Sequence, residues 1–283
     1  MEAVSRRARG MQWGIEMKIT TLVENQSNCD LKPTHGLSLY IETKKHKLLF
    51  DLGPDRILFE NARKKGIRLE EVDTVVISHG HMDHGGALGH FLEINHKAKI
   101  YVQRKAFDPH YSKFLCFSIP VGLDGKWKES GQVVLLDGDY TVDEELQLFV
   151  VPETGKCFSP ANVKLFSKNG RDDFLHEHNL LISEKEKVLI MGCGHAGVVN
   201  ILEKVKDEKP GYCIGGYHLM NPIFGKMVPE ILLGDIAAEL EKYPGMHFYT
   251  CHCTGKRAYE YLRSRVTDMN YLSCGETLTI GEA

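Results

Sequence analysis

Ile77-Ser-His79-Gly-His81-Met-Asp83-His84-Gly-Gly86 concentrates three histidines and an aspartate in ten residues. The run opens at the end of a short buried strand, 74–78, and precedes a helical pattern over 87–94. In an extended turn, residues two apart point the same way, so His79 and His81 can share one ion. Asp83 and His84, one step on, can face a second ion beside the first. Imidazole nitrogens suit zinc, iron, manganese or nickel, and the carboxylate adds charge and hardness. Gly80, Gly85 and Gly86 let the backbone crowd a metal. The competing reading is a polar loop of solvated histidines.

Working outward, apolar alternation predicts strands at 18–23, 36–43 and 47–52 and a helix at 57–65 closed by Gly66. A strand at 99–103 follows. Residues 107–130 hold Pro109, Pro120, Gly122 and Gly125 with no sustained period. They read as a long loop of functional length that would wall a substrate cleft. The second half carries strands at 132–136, 146–151, 179–183, 187–191, 212–215, 246–250 and 271–280. Its helices are expected at 198–206, after Pro229, and at 256–265. Strands followed by helices occur twice, with no Gly-, Ser- or Pro-rich linker between the halves. This pattern predicts one α/β domain over 17–283, two packed sheets with helices outside. Residues 1–16 are basic and lack an apolar h-region, so they read as a flexible extension, not a secretory signal.

Composition narrows the function. With 35 Lys+Arg against 38 Asp+Glu, the chain of 283 residues has a net charge of −3 and no basic field for nucleic acid or anionic lipid. No apolar run approaches the roughly 20 residues that span a bilayer. Eight cysteines without a CxxC fit reduced thiols in the cytoplasm. These features disfavour nucleic-acid and membrane partners. The unusual count is 14 histidines.

The run 78–86 resembles the signature of the metallo-β-lactamase superfamily, as does Phe50-Asp51-Leu-Gly53 after an early strand. The resemblance follows the strand order from 17 to 280. It implies an αββα four-layer sandwich of metallo-hydrolase/oxidoreductase type, with metal held in loops at the edge of the two sheets. Met191-Gly-Cys-Gly-His-Ala-Gly197, Gly215-Gly-Tyr-His-Leu219 and His252-Cys-Thr-Gly255 are similar to one branch. That branch is described as relatives of a synthase in pterin-type metabolism. The implied activity is a metal-dependent hydrolase using a metal-activated water, with one or two divalent ions, zinc first and iron or manganese as alternatives. A synthase or transferase in pterin-type metabolism is the second expectation. An iron-binding redox or sensor protein is the third, with Cys193, Cys251 and Cys253 involved.

On this resemblance the metal ligands are His79, His81, Asp83, His84, His195 and His252, and the catalytic groups are Asp83 and His218. The family's usual third histidine is missing from Pro152-Glu-Thr-Gly155, and Gly192-Cys193-Gly-His195 stands where a bridging aspartate is usual. His195 is therefore the expected replacement and Cys193 the next, with His178 and Glu153 as further candidates. Asp51 is expected to accept a hydrogen bond from a ligand histidine or a water.

Three other patterns compete. Gly192-x-Gly194-x-x-Gly197 between strand and helix has the form of a dinucleotide fingerprint, but the next strand lacks the acidic partner. Cys193, His195, Cys251 and Cys253 could form a structural zinc site, at tighter spacing than usual. Thr254-Gly-Lys256-Arg257 opens a helix beside His252, where an anion such as a phosphate ester would be favoured, or where Thr254 is a simple N-cap. His35, His46, His90, His96, His110, His176 and His247 read as ordinary surface or packing residues.

Overall fold

Strands buried on both faces must be apolar at nearly every position, and Lys47–Phe50, Thr74–Ile77 and Lys99–Gln103 meet that condition. In the computed structural model, which describes residues 16–114, 116–152, 155–221 and 225–281, these strands pair in parallel. They sit within a seven-stranded sheet ordered Thr277–Ile280, Met17–Val23, Ser38–Glu42, Lys47–Phe50, Thr74–Ile77, Lys99–Gln103 and Val133–Leu136. A second seven-stranded sheet runs Met269–Tyr271, His247–Thr250, Tyr212–Gly215, Lys187–Ile190, Asn179–Ser183, Leu146–Phe149 and Tyr140–Thr141. Its first four strands are parallel to one another.

The two sheets share a core that includes Ile19, Leu39, Leu48, Leu148, Ile190 and Ile214. On the far side of the first sheet, Leu58, Ala62, Leu88 and Phe91 pack from the helices Ile57–Lys64 and Leu88–Ile94. On the far side of the second, Ile201, Leu233, Ile236 and Leu262 pack from Val198–Lys204, Glu230–Leu240 and Lys256–Arg263. Helix, sheet, sheet, helix is the expected αββα sandwich. Most of the expected extension, residues 1–15, lies outside the described residues. No helix among the described residues is long and apolar enough to cross a membrane.

The segment 107–130 corrects the sequence reading. His110–Phe114 and Phe117–Pro120 form a hairpin, which Leu165–Ser167 and Gly170–Arg171 extend into a four-stranded sheet. Pro120 ends its strand facing solvent, a position where a missing N–H costs no ladder bond. The hairpin grips the histidine loop: Met82 N–H donates to the Val121 carbonyl at 2.8 Å, and His81 bridges to Gly122.

Asp51 follows Phe50, and the 78–84 loop follows Ile77. Cys193 and His195, Tyr217 and His218, and Cys251 and His252 follow the second sheet's parallel strands. All these residues therefore emerge at carboxyl ends of parallel strands, where α/β sheets gather their ligands.

Candidate metal centre

His79, His81, Asp83 and His84 of the quoted loop meet Cys193, His195 and His252, which follow strands of the second sheet, in a largely buried cluster. One donor atom from each of His79, His81 and His195 lies within 4.8 Å of the other two, and the same holds for His79, His84 and Cys193. His84 Nε2 lies 3.2 Å from His252 Nε2 and 3.2 Å from Cys193 Sγ. Asp83 Oδ2 lies 3.3 Å from His252 Nε2 and 3.7 Å from His84 Nε2.

Outer partners fix which nitrogen faces inward. Asp51 accepts from the Ser78 N–H at 2.7 Å, from the Ser78 hydroxyl at 2.8 Å and from His84 Nδ1–H at 2.6 Å. With its own hydrogen spent on Asp51, Ser78 Oγ accepts from His79 Nδ1–H at 2.8 Å. Asn162 Oδ1 accepts from His195 Nδ1–H at 2.7 Å, and Asn25 Oδ1 from His252 Nδ1–H at 2.8 Å. Four rings thus spend Nδ1–H outward and turn the Nε2 lone pair inward.

Three of the Nε2 atoms are left without partners. Nε2 of His79, His81 and His195 is buried with no hydrogen-bond partner among the described residues. Burial, reinforced by neighbouring imidazoles, holds these three histidines well below their usual range, so they are neutral. Burial also acts to lower His84, but the Asp51 and Asp83 carboxylates outweigh it and lift the group to about 9. One proton can settle the pair His84 and His252. It cannot settle three further orphaned lone pairs, whereas divalent cations would satisfy all of them. The donor set therefore fits metal.

Backbone geometry carries part of the cost. Asp51, His218 and His252 all lie in the left-handed region, with φ of 62, 49 and 49°. Such conformations are disfavoured for non-glycine residues and persist where the surroundings over-determine them. The glycines act differently from expectation. A Cβ at Gly80 would lie 2.4 Å from the Ala106 carbonyl oxygen, and one at Gly86 2.3 Å from that of Pro54. They admit neighbouring backbone, not an ion.

Several expectations need correction. His178 Nε2–H donates to the Ile77 carbonyl at 2.9 Å and Nδ1 accepts from Gln103 at 3.3 Å, so both nitrogens are spent away from the cluster. Cys251 lies in the core between the sheets, apart from the cluster. Glu153 is outside the described residues. Thr254 is not an N-cap: its hydroxyl accepts from Tyr217 N–H at 2.9 Å, while Lys256 and Arg257 are exposed. The glycine fingerprint at 192–197 is filled from within. The N–H groups of His195 and Ala196 donate to the two oxygens of Glu177 at 2.7 and 2.9 Å, leaving no nest for a dinucleotide phosphate. Burial lifts Glu177 to about 7 against the pull of those two donors.

His110 and His176 are not ordinary packing residues. Both are buried and bond Asp172, at 2.9 and 3.2 Å, and His176 Nδ1 accepts from the Gly80 N–H at 2.9 Å. His35 also reaches the cluster, 3.2 Å from Asp83. Asn25, Asn162 and Glu177 were missed, since each lies 18 or more positions from the residue it holds; Asp172 was missed although it stands four residues before His176. The one available signal was His176-Glu-His178, three consecutive polar residues entering a buried strand.

Beside the cluster opens a cavity of about 250 Å³. Met82, Ile119, Val121, Leu165 and Met220 form an apolar wall, and His81, Asp83, His195, His218 and His252 face it. Its described lining contains no lysine or arginine.

The sequence model of the Metallo-beta-lactamase superfamily matches residues 31–161. The chain is 28% identical over 271 residues to 7,8-dihydropterin-6-methyl-4-(beta-D-ribofuranosyl)-aminobenzene-5'-phosphate synthase of Methanocaldococcus jannaschii, covering 86% of this chain and 89% of the relative. It is 26% identical to an uncharacterized protein of the same organism, covering 93% of this chain and 100% of that one. Among solved structures, Tm1679, described as a metal-dependent hydrolase of the beta-lactamase superfamily, superposes with a TM-score of 0.78 at 25% identity. The match covers 94% of this chain and 100% of that one.

Proposed function

We propose that this chain, which belongs to the metallo-β-lactamase superfamily, is a metal-dependent hydrolase of a small molecule. The observation that carries the reading is the gathering of histidine nitrogens into adjoining buried groups while outer partners hold the Nδ1–H of His79, His84, His195 and His252. His79, His81 and His195 would hold one divalent ion, and Asp83, His84 and His252 a second. The nitrogen-rich set favours zinc, with iron or manganese as alternatives. Bound there, the ions supply a water acidic enough to ionise near neutral pH and positive charge for the attacked group.

The protein's own groups do the remaining work. Asp51, Ser78, Asn162 and Asn25 hold the rings in place, so little reorganisation is needed on binding. Asp83, with 20% of its side chain exposed, is the carboxylate placed to accept a proton at the cavity mouth. His218 faces the same cavity as a hydrogen-bond donor to substrate. The apolar wall binds the body of the substrate and excludes water. Without a lysine or arginine in the lining, the substrate's anionic part belongs at the ions. A phosphate ester is the form favoured, since the Methanocaldococcus relative is named for a 5'-phosphate product.

The same relative supports a second reading, a synthase acting on a pterin-type substrate in the same cavity. Eight free thiols favour a reducing, cytoplasmic setting for either, and residues 17–283 are taken as one catalytic domain. The test is metal-free protein reloaded with zinc, manganese or iron and assayed on phosphate mono- and diesters and on pterin-type substrates. Metal-dependent ester turnover that falls at least ~10²-fold in His81→Ala supports the hydrolase. Consumption of pterin-type substrate with no ester turnover would replace it with the synthase. Full metal content in a His81→Ala, His84→Ala variant would refute the ligand assignment.

A further inference from the structure

Three neighbouring parallel strands of the second sheet deliver a further set of donors that the proposed hydrolysis leaves largely unused. Cys193 follows Lys187–Ile190, His218 follows Tyr212–Gly215, and Cys253 follows His247–Thr250. One donor atom of each lies within 4.8 Å of the other two. All three residues are buried, at 3, 6 and 4% exposure.

The seat around them is built. Both ring nitrogens of His218 are buried, and apart from the neighbouring Cys253 thiol they have no hydrogen-bond partner among the described residues, a poorly satisfied state for an imidazole. The ring is held there by its backbone: φ is 49°, the carbonyl accepts from the Ser159 hydroxyl at 2.5 Å, and the N–H donates to Cys253 Sγ at 3.3 Å. A Cβ at Gly216 would come within 2.5 Å of Cys253 Sγ, so that glycine makes room for the sulfur. Cys193 Sγ, 3.2 Å from His84 Nε2, lies between this set and the histidine and carboxylate set.

Two thiols and an imidazole form a soft set that selects zinc or copper(I) over magnesium, calcium or manganese. We infer that Cys193, Cys253 and one ring nitrogen of His218 hold a thiophilic cation, with Cys193 shared with the ion at His84. The second nitrogen of His218 still faces the cavity. Binding takes both sulfurs as thiolates, with any proton they still carry released to solvent, and no electron transfer is involved. This site differs from the structural zinc site weighed from the sequence, because Cys251 is in the inter-sheet core and the third donor is His218 instead of His195.

Cobalt(II) titration of the stripped full-length protein tests the assignment, with bound cobalt per chain and near-ultraviolet thiolate-to-cobalt absorption as readouts. Wild type is expected to bind one more cobalt than either Cys253→Ser or His218→Ala, and Cys253→Ser to lose about half of the thiolate absorption. Cys213→Ser, a buried cysteine outside the cluster, should match wild type. Wild-type cobalt count and absorption in Cys253→Ser would overturn the inference. If that variant does not fold, His218→Ala decides by the same count, since among the described residues its ring has no side-chain partner outside the proposed site. His81→Ala separates this site from the hydrolytic reading. It should lose a cobalt while keeping the thiolate absorption, and an unchanged count there would sink the histidine assignment alone.

Discussion

Replacing Asp51 with asparagine isolates one charge at the root of the cluster. Asp51 is fully buried and accepts three hydrogen bonds, two from Ser78 and one from His84 Nδ1–H. Asparagine tolerates the left-handed backbone at φ 62°, so Asp51→Asn changes the electrostatics without adding strain. Its carbonyl can still serve the Ser78 N–H, and the Ser78 hydroxyl can rotate to accept. His84 Nδ1–H then faces an amide N–H and has no acceptor. The ring escapes by moving its proton to Nε2, the atom that must be free for metal. Disrupting an outer partner of this kind lowers metal affinity roughly 10- to 100-fold, or about 1.4 to 2.7 kcal/mol. Losing the charged hydrogen bond costs the metal-free fold a further ~1.5 to 3 kcal/mol, a fall in Tm of roughly 3 to 10 °C. Competition against a chromophoric chelator measures the first effect and calorimetry of stripped protein the second. Zinc affinity within twofold of wild type would refute the claim that Asp51 sets the His84 tautomer.

Other outcomes follow from other parts of the molecule. His46 donates to Asp73 at 3.0 Å and Asp143 at 2.7 Å; burial opposes its charge, but the two carboxylates outweigh it and raise its pKa. That stabilisation is complete below the ordinary value near 6.5 and fades as pH rises through the folded value. His46→Gln should therefore lower Tm at pH 6 and converge on wild type by pH 9, and a constant gap would contradict it. Asp172→Asn, which frees His176 from its anchor on Gly80, should weaken cobalt binding at the three-histidine set by about tenfold, read by titration. Gly86→Ala forces a Cβ against the Pro54 and Met82 carbonyl oxygens, at 2.3 and 2.4 Å, and should cost ~1 to 3 kcal/mol in chemical denaturation. Zinc at a hundredfold excess over its Kd should stabilise wild type by ~2.7 kcal/mol, and the His81→Ala, His84→Ala variant much less.

The parallel strands were readable because burial on both faces writes itself as unbroken apolar sequence, and His79 to His84 because one turn after a strand brings local residues together. The residues that orient those rings had no such signature. Asn25 meets His252 across 227 positions, and Asn162 meets His195 across 33, so no local period links them. The hairpin at 110–120 was obscured by Pro109 and Pro120, which read as loop residues although an edge hairpin accommodates both.

The glycine run at 192–197 shows the limit most directly. Such a run after a strand reports backbone N–H groups turned toward an anion, and the sequence reading offered a dinucleotide phosphate. In the fold, those N–H groups meet the carboxylate of Glu177, 18 and 19 positions earlier in the chain. The turn still does anion chemistry, but its product is a rigid mount for His195, whose carbonyl and Nδ1–H are both taken by Asn162. A motif fixes the backbone's electrostatic demand. What meets that demand, a ligand or a side chain of the same chain, is decided by tertiary packing, and here the choice turns a nucleotide signature into part of a candidate metal centre.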